Sequence, residues 1–284
     1  MLKLFAFAMI FGSLLFGFIL SKGNLGMLWH PYELIMIFGP VLSCFIIANP
    51  VSVVKSTASQ LIGVFGKDKY TQDFYSDSLI LMFELTKLYK EKGNVELENH
   101  IDSPEDSEIF KKYPKILKDK ESLNFISENL RLVTNGKYSP HDVESYIDAE
   151  IDAFVHEHAL ASKALDQVAD MLPSLGIVVA VAGIIISMQY IGSTAEIFAE
   201  KISAALFGTF VGVFAAYAIV FPISKSMESK TEKFKHYLEV LKSSFLSIVH
   251  GYPPFVAVEI ARKNIPPTLR ISSSVLEKRM LGEN

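Results

Sequence analysis

The sequence predicts an all-α integral membrane protein with four transmembrane helices. Half of its 284 residues are hydrophobic and only 20% are charged, which gives a mean hydropathy of +0.31. Two long runs, Ser174–Ile191 and Ile202–Pro222, contain no charged residue. Uncharged apolar runs of about 18 residues are long enough to cross the hydrocarbon core of a bilayer. A soluble domain of this size normally has no such runs.

The first two predicted spans are residues 2–20 and 33–50. The N-terminal run has no small-residue cleavage site after it and is long for a signal peptide, so we interpret it as a retained span. The second run begins at Glu33 and contains Pro40, which should kink the helix. Cys44 is the only cysteine, which excludes an internal disulfide, and we expect it to behave as a small buried apolar residue.

The third and fourth predicted spans, 174–191 and 202–222, are rich in glycine and alanine. Small residues let helix backbones approach closely, so we expect these two spans to be interior and the first two to face lipid. Gly208 and Gly212 form a G-x-x-x-G pair of the kind found where helices touch. We expect Pro173 and Pro222 to mark the cytoplasmic ends of the two spans.

Basic residues predict the orientation. The connection between spans one and two holds only Lys22, and that between spans three and four holds only Lys201. Nearly all other Lys and Arg lie in the long central segment and the tail, so both termini should be cytoplasmic. The predicted organisation is 1–50 for spans one and two, 51–172 for a large helical cytoplasmic region, 173–222 for spans three and four, and 223–284 for a helical cytoplasmic tail.

The central region and the tail show helical patterns. Apolar residues recur at helical spacing over Tyr75–Glu91, and further helices are predicted over 119–136 and from Asp142 to near Met171. Ser103 followed by Pro104 predicts a helix start, with the serine as N-cap. The tail should continue span four over residues 224–250 and end in a shorter helix over 255–263.

The two interior spans contain no Asp, Glu, Lys, Arg or His. An ion that crosses hydrocarbon needs a titratable group or a chain of oxygens, so a carboxylate would have to come from another chain. Thr209 can offer a hydroxyl to such a path or can bond back to its own helix. The His156-Glu157-His158 triplet lacks the spacing that puts two imidazoles on one helix face, so no metal site is expected.

Signatures of catalysis are missing from the sequence. It has no glycine-rich phosphate loop, no nucleophile elbow and no Ser/His/Asp set, so we expect neither an enzyme nor a cofactor. The charged stretch Lys87–Glu98, taken on its pattern alone, is typical of a solvated helix face.

Several stretches in order, on this four-span topology, resemble the MotA family of flagellar motor stator subunits, within the wider MotA/TolQ/ExbB group. The resemblance covers almost the whole chain. The stretches are residues 21–26 (SKGNLG), 30–34 (HPYEL), 97–101 (LENHI), 107–110 (SEIF), 113–114 (YP), 172–178 (LPSLGIV), 208–212 (GTFVG) and 251–254 (GYPP) with 257–259 (AVE).

The resemblance implies a stator subunit in the bacterial inner membrane that serves flagellum rotation and chemotaxis. Such chains are thought to form a ring of five copies around two MotB-like partners, which supply the ion-binding aspartate. Ion flow then turns the ring against the rotor protein FliG, and no nucleic-acid partner is expected. The family's charged rotor-contacting positions correspond to Lys90, where arginine is more usual, and to Glu98, Glu128, Arg131 and Glu150.

The resemblance also implies the parts of the ion path. The family's functional prolines correspond to Pro173 and Pro222, and its path hydroxyl corresponds to Thr209. Sodium-driven relatives usually carry a threonine where this chain has Ala180. Because Ala180 supplies no oxygen ligand, we expect a proton channel, with a sodium-driven stator as the alternative. A second alternative is an ExbB/TolQ-type energy-transducing subunit, although those usually have three spans.

Overall fold

Helices form almost the entire backbone. The computed structural model describes residues 2–134, 136 and 138–282, and over these residues it contains twelve α-helices and no β-strand. Two short 3₁₀ turns, at Leu25–Leu28 and Phe110–Lys112, and a π-helical segment at Ala215–Val220 complete the secondary structure. The α-helices are α1 (Leu2–Leu20), α2 (Pro31–Ala48), α3 (Val51–Val64), α4 (Gln72–Lys92), α5 (Asn94–Asp102), α6 (Pro114–Leu117), α7 (Lys120–Thr134), α8 (Pro140–Met188), α9 (Ala195–Phe214), α10 (Phe221–Val249), α11 (Pro254–Asn264) and α12 (Ser273–Met280).

Four helical segments within the described ranges are long and apolar enough to cross a membrane, which confirms the predicted fold class. They are Leu2–Leu20, Leu25–Ala48, the apolar part of Pro140–Met188 and the apolar part of Ala195–Val249. The second span begins earlier than predicted, because Pro31 occupies the first turn of α2. Proline suits that position, since its fixed φ is helical and the first N–H groups of a helix have no intrahelical partner.

Pro173 does not separate two helices, so the prediction of a cytoplasmic helix that ends near Met171 is wrong. Helix α8 runs without a break for 49 residues, and Pro173 lies inside it. The φ of proline is compatible with a helix, and the lost hydrogen bond is tolerated in a span where neighbouring helices pack around the freed carbonyl. The third span ends at Met188, and residues 189–191 form a turn.

Pro222 likewise does not interrupt its helix, and its place at the cytoplasmic end of the fourth span stays a prediction. Helix α9 leads into the π-helical segment Ala215–Val220, and α10 follows directly and contains Pro222 in its first turn. A π-helical segment shifts the hydrogen-bond register, which is one way for a helix to accommodate a proline that lacks an N–H. The predicted continuation of span four into the tail is confirmed.

The chain forms two compact units, each assembled from two separate stretches. The first unit comprises residues 1–66 and 157–230, and the second comprises 67–156 and 231–284. Helices α8 and α10 contribute residues to both units. The predicted domain boundaries divide the chain by membrane position, which is a different criterion, and they stay a prediction.

The apolar core of the first unit is small. One cluster joins Ile37 and Val41 of α2 to Leu172 and Val179 of α8 and to two alanines of the π-helical segment. Helix α1 buries no residue within the chain, and Cys44 of α2 is exposed, which corrects the expectation that it is buried. A span that faces lipid buries little of its side-chain surface inside its own chain, so exposed apolar residues are normal here.

The second unit has one continuous apolar core built from α4, α5, α7, the start of α8, α10, α11 and α12. Tyr75 and Tyr237 are buried at its centre, and the Tyr237 hydroxyl lies 3.0 Å from Ser78 Oγ. Burial raises the pKa of Tyr75 to about 12. Thr71 caps α4 by accepting a hydrogen bond from the N–H of Phe74.

Two local predictions in the second unit differ from the structure. Ser103 does not cap a helix, because residues 104–106 form a turn, in which the Ser103 carbonyl accepts hydrogen bonds from the N–H groups of Asp106 and Ser107. The hydroxyl of Ser107 accepts the N–H of Phe110 instead, at the start of a 3₁₀ turn. Helix α7 ends at Thr134, and the predicted end at Asn135 lies outside the described residues.

Candidate functional site

Spans three and four touch backbone to backbone. A Cβ atom built on Gly212 would lie 2.6 Å from the carbonyl oxygen of Leu172, and one on Gly176 would lie 2.9 Å from the carbonyl oxygen of Gly208. Further along, a Cβ on Gly183 would lie 2.7 Å from the Cα of Ala205. The G-x-x-x-G pair therefore lies in a seam between α8 and α9, where a Cβ on either glycine would clash with the facing helix.

Three of the four residues predicted for the ion path lie on or beside this seam. Ala180 is buried, with its backbone nitrogen beside Gly208, and the Cα of Thr209 lies beside Gly176. Pro173 is half-buried, one residue after the carbonyl that meets Gly212, whereas Pro222 is exposed. The structure thus brings Pro173, Ala180 and Thr209 to one helix pair.

Hydroxyl groups in these spans differ in their hydrogen bonding. Ser187 is fully buried and donates to the carbonyl of Gly183, 2.7 Å away, one turn earlier in its own helix. Within the described part of the chain, the Thr209 hydroxyl makes no such bond back to α9. Its lone pairs and proton are therefore free for a group outside this chain, such as a water or a partner side chain.

Charged groups flank the third and fourth spans but do not enter them. On the side of Pro173 and Pro222 away from the apolar runs, Lys225 of α10 lies 3.3 Å from Asp166 of α8 and 2.9 Å from Glu228. At the other end, Lys201 is half-buried and lies over the ring of Tyr190. Because the spans 174–191 and 202–222 hold no Asp, Glu, Lys, Arg or His, they offer no carboxylate, amine or imidazole to carry a proton across the hydrocarbon.

The predicted charged positions of the second unit lie on four helices, α4, α5, α7 and α8. Lys90 lies at the end of α4 and Glu98 lies on α5, and between them Gly93 adopts a φ of +84° at the junction of the two helices. The charged stretch 87–98 therefore spans two helices, and its role stays a prediction. Glu98 accepts a hydrogen bond from the side chain of Asn94 at 2.8 Å.

Lys90 is held by backbone oxygens. Its ammonium group donates to the carbonyls of Gly251, at 3.1 Å, and Tyr252, at 2.8 Å. These carbonyls follow the C-terminus of α10, where Gly251 has a φ of +77° and the N–H of Tyr252 bonds back to the carbonyl of Ser247. A cation is favourable there because it meets unpaired carbonyls at the negative end of a helix dipole.

Three of the predicted positions lie on two helices: Glu128 and Arg131 on α7, and Glu150 on α8. Arg131 donates to Glu128, one turn earlier at 3.2 Å, and to Asp102 at the end of α5. The hydrogen bond with Asp102 is the main cause that raises the pKa of Arg131. Asp102 was not predicted, although its position four residues after Glu98 places both carboxylates on one side of α5.

Glu150 is half-buried, and its carboxylate accepts a hydrogen bond from Asn129 at 2.7 Å. Burial is the main cause that raises the pKa of Glu150, and the bond from Asn129 acts in the opposite direction. Glu150 is therefore less available to an external partner than Glu128, which is exposed. Among the described residues, no three His, Cys, Asp or Glu side chains lie close enough together to hold a metal ion.

Comparison with known proteins identifies the family. Residues 4–93 match the family described as "Motility protein A N-terminal", and residues 118–240 match the "MotA/TolQ/ExbB proton channel family". The motility protein A of Escherichia coli K12 is 33% identical over 280 residues, which cover 99% of this chain and 95% of that protein. The chain belongs to the motility protein A family.

Other relatives agree with this assignment. The motility protein A of Salmonella typhimurium is 32% identical over 99% of this chain and 95% of that protein, and the chemotaxis protein LafT of Vibrio parahaemolyticus is 32% identical over 92% of each. Two solved structures share the fold. The structure of C. jejuni MotAB matches with a TM-score of 0.76, 18% identity and 95% and 97% coverage, and the MotAB stator complex from Bacillus subtilis with 0.74, 20%, 95% and 98%.

Proposed function

We propose that this chain is a stator subunit of the bacterial flagellar motor. With a MotB-like partner it forms a proton channel in the inner membrane and converts ion flow into torque on the rotor; it is not an enzyme. The observation that carries the proposal is a pair of close-packed spans with no Asp, Glu, Lys, Arg or His. Such a pair is suited to enclose an ion-binding residue that another chain supplies.

The partner provides the missing carboxylate. Two solved relatives are named as MotAB assemblies, which supports a MotB-like chain as that partner. We propose that its membrane aspartate takes up the proton beside Thr209, whose hydroxyl has no partner among the described residues. Ala180 offers no oxygen ligand, which favours a proton over sodium, because sodium needs several oxygens to replace its water.

Rotor contact is proposed for the charged positions of the second unit. Glu98, Glu128 and Arg131 present charge at the surface and would meet complementary charges on FliG. Exposed pairs of this kind contribute about 0–1 kcal/mol each, which suits a contact that must form and release at every step. Lys90 and Glu150 are engaged within the chain, so we propose that they orient this surface as well as contribute to it.

Proton flux through liposomes tests the channel proposal. The chain would be reconstituted alone, with its MotB-like partner, and with a partner whose membrane aspartate is changed to asparagine. Only the second preparation should pass protons. Flux through the chain alone would contradict the need for a borrowed carboxylate.

Motility tests the coupling ion and the role in the motor. A strain that lacks its own subunit should swim when complemented with this chain and the matching partner, should continue without sodium and should stop with a protonophore. Swimming that requires sodium would instead support the sodium-driven alternative.

Native mass spectrometry would test the proposed ring of five copies, and protease access to terminal tags in spheroplasts would test the cytoplasmic placement of both termini.

A further inference from the structure

An apolar groove of about 220 Å³ lies in the first unit beside the first turns of α1. One wall is formed by α1 and the other by the π-helical segment and the start of α10, with the end of α3 at the base. Phe7 and Phe65 meet edge to face at 5.8 Å inside it. The apolar side chains that line it are Phe7, Ile10, Phe65, Ile219 and Ile223.

Lys3 lies at the rim of this groove. Its ammonium group donates to the carbonyl of Val64 at 3.2 Å and to the hydroxyl of Ser226 at 2.7 Å. Both acceptors are neutral, and no carboxylate of the described residues lies within ion-pair distance of Lys3. An ammonium has three N–H donors, so one donor and the full positive charge remain available.

The position of Lys3 in α1 places its ammonium group at the level of lipid headgroups. Helix α1 is a candidate membrane span, and Lys3 is in its first turn, where a bilayer has its phosphate groups. Lysines at such positions extend to the headgroup level and keep their stems along apolar surface. In the proposed orientation this is the cytoplasmic leaflet, where anionic lipids attract basic residues.

We propose that the groove binds one acyl chain of an anionic phospholipid, with the lipid phosphate paired to Lys3. The groove is too small for a helix, which is about 10 Å across, but it suits a flexible hydrocarbon chain. The charge selects an anionic headgroup, and the aromatic and branched walls hold the chain. The inference rests on the cytoplasmic position of the N-terminus and is independent of how torque is generated.

Lipid retention measured by native mass spectrometry tests the site. The full chain with its partner would be exchanged into phosphatidylglycerol or phosphatidylcholine and then stripped with detergent. We expect the wild type to retain phosphatidylglycerol, Lys3→Gln to retain about fivefold less, and phosphatidylcholine retention to be the same in both. Lys22→Gln, which removes the basic residue beyond the other end of α1, is the matched control and should behave as the wild type.

A second variant separates the groove from the charge. Ala6→Trp fills the groove and leaves Lys3 in place, and it should also lose phosphatidylglycerol. Equal retention by wild type and Lys3→Gln would overturn the proposal. So would efficient photocrosslinking to a second copy from a benzophenone attached to Ala6→Cys in a Cys44→Ser background, because a neighbouring subunit would then cover the groove. Neither result depends on motility, so failure of the lipid site and failure of the motor assignment are distinguishable.

Discussion

Replacing Gly212 with alanine should weaken the packing of spans three and four. The added methyl group would lie 2.6 Å from the carbonyl oxygen of Leu172 and 3.0 Å from the Cα of Gly176. Both neighbours are backbone atoms, so no side chain can rotate away. To restore the 3.4 Å at which ordinary van der Waals contact begins, the helices must separate locally by about 0.8 Å, the difference between 3.4 and 2.6 Å.

Two opposing effects determine how far Gly212→Ala changes the free energy of unfolding. Overpacking a close contact usually costs about 1–3 kcal/mol. Alanine stabilises a helix relative to glycine by about 0.5–1 kcal/mol where there is room. At Gly12 of α1 only the gain in helix propensity applies, because a Cβ there meets nothing within 4 Å. The unfolding free energies of Gly212→Ala and Gly12→Ala should therefore differ by about 1–3 kcal/mol, with Gly212→Ala the less stable.

Equilibrium unfolding in mixed micelles, followed by circular dichroism at several denaturant concentrations, measures this difference. Both variants remove a glycine from a span, so the comparison cancels the effect on helix propensity. A difference below about 0.5 kcal/mol, within the usual range for neutral surface changes, would refute the close backbone contact. No second substitution to a smaller residue can relieve this clash, because the contacting atoms belong to the backbone of Leu172 and Gly176.

Three further predictions concern the second unit. Lys90→Ala should lower the free energy of unfolding by about 0.5–1 kcal/mol, because it leaves two carbonyls at the end of α10 without their cation, whereas the exposed control Lys87→Ala should change little. The raised pKa of Glu150 makes stability fall as pH rises from 4.5 through the folded-state pKa, so Glu150→Gln should remove that part of the pH dependence. The lowered pKa of Glu259, caused mainly by Arg262, gives stability that is present above pH 4.5 and lost as pH falls through the folded-state pKa, so Arg262→Gln should flatten the acid side of the profile.

Thermal unfolding of the purified chain between pH 3 and pH 8 checks the two carboxylates together. If Glu150→Gln and Arg262→Gln both leave the pH dependence of stability unchanged, the environments assigned to Glu150 and Glu259 are contradicted. Equal stability of Lys90→Ala and Lys87→Ala would show that the contact with the end of α10 contributes nothing. Swimming speed distinguishes an effect on folding from a direct effect on the motor. A variant that is impaired only in folding should recover motility when it is grown at lower temperature.

Much of the fold could be predicted from the sequence because it depends on composition and spacing. Charge-free runs are long enough to span a bilayer wherever they pack, so the four spans and the continuation of the last one into the tail were predictable. The G-x-x-x-G pair indicated a close helix contact because glycine leaves no side chain between backbones. The family resemblance, which the comparisons confirm, rested on ordered motifs and not on packing.

Tertiary structure decided whether a local signal became a boundary. Pro173 and Pro222 can end or continue a helix, and the helices packed around them determine which happens. Gly93 separates Lys90 from Glu98 by adopting a left-handed φ that a simple helical pattern does not reveal. Contacts between residues far apart in the chain, such as that between Lys90 and the carbonyls after α10, depend on three-dimensional proximity, which spacing along one helix does not encode.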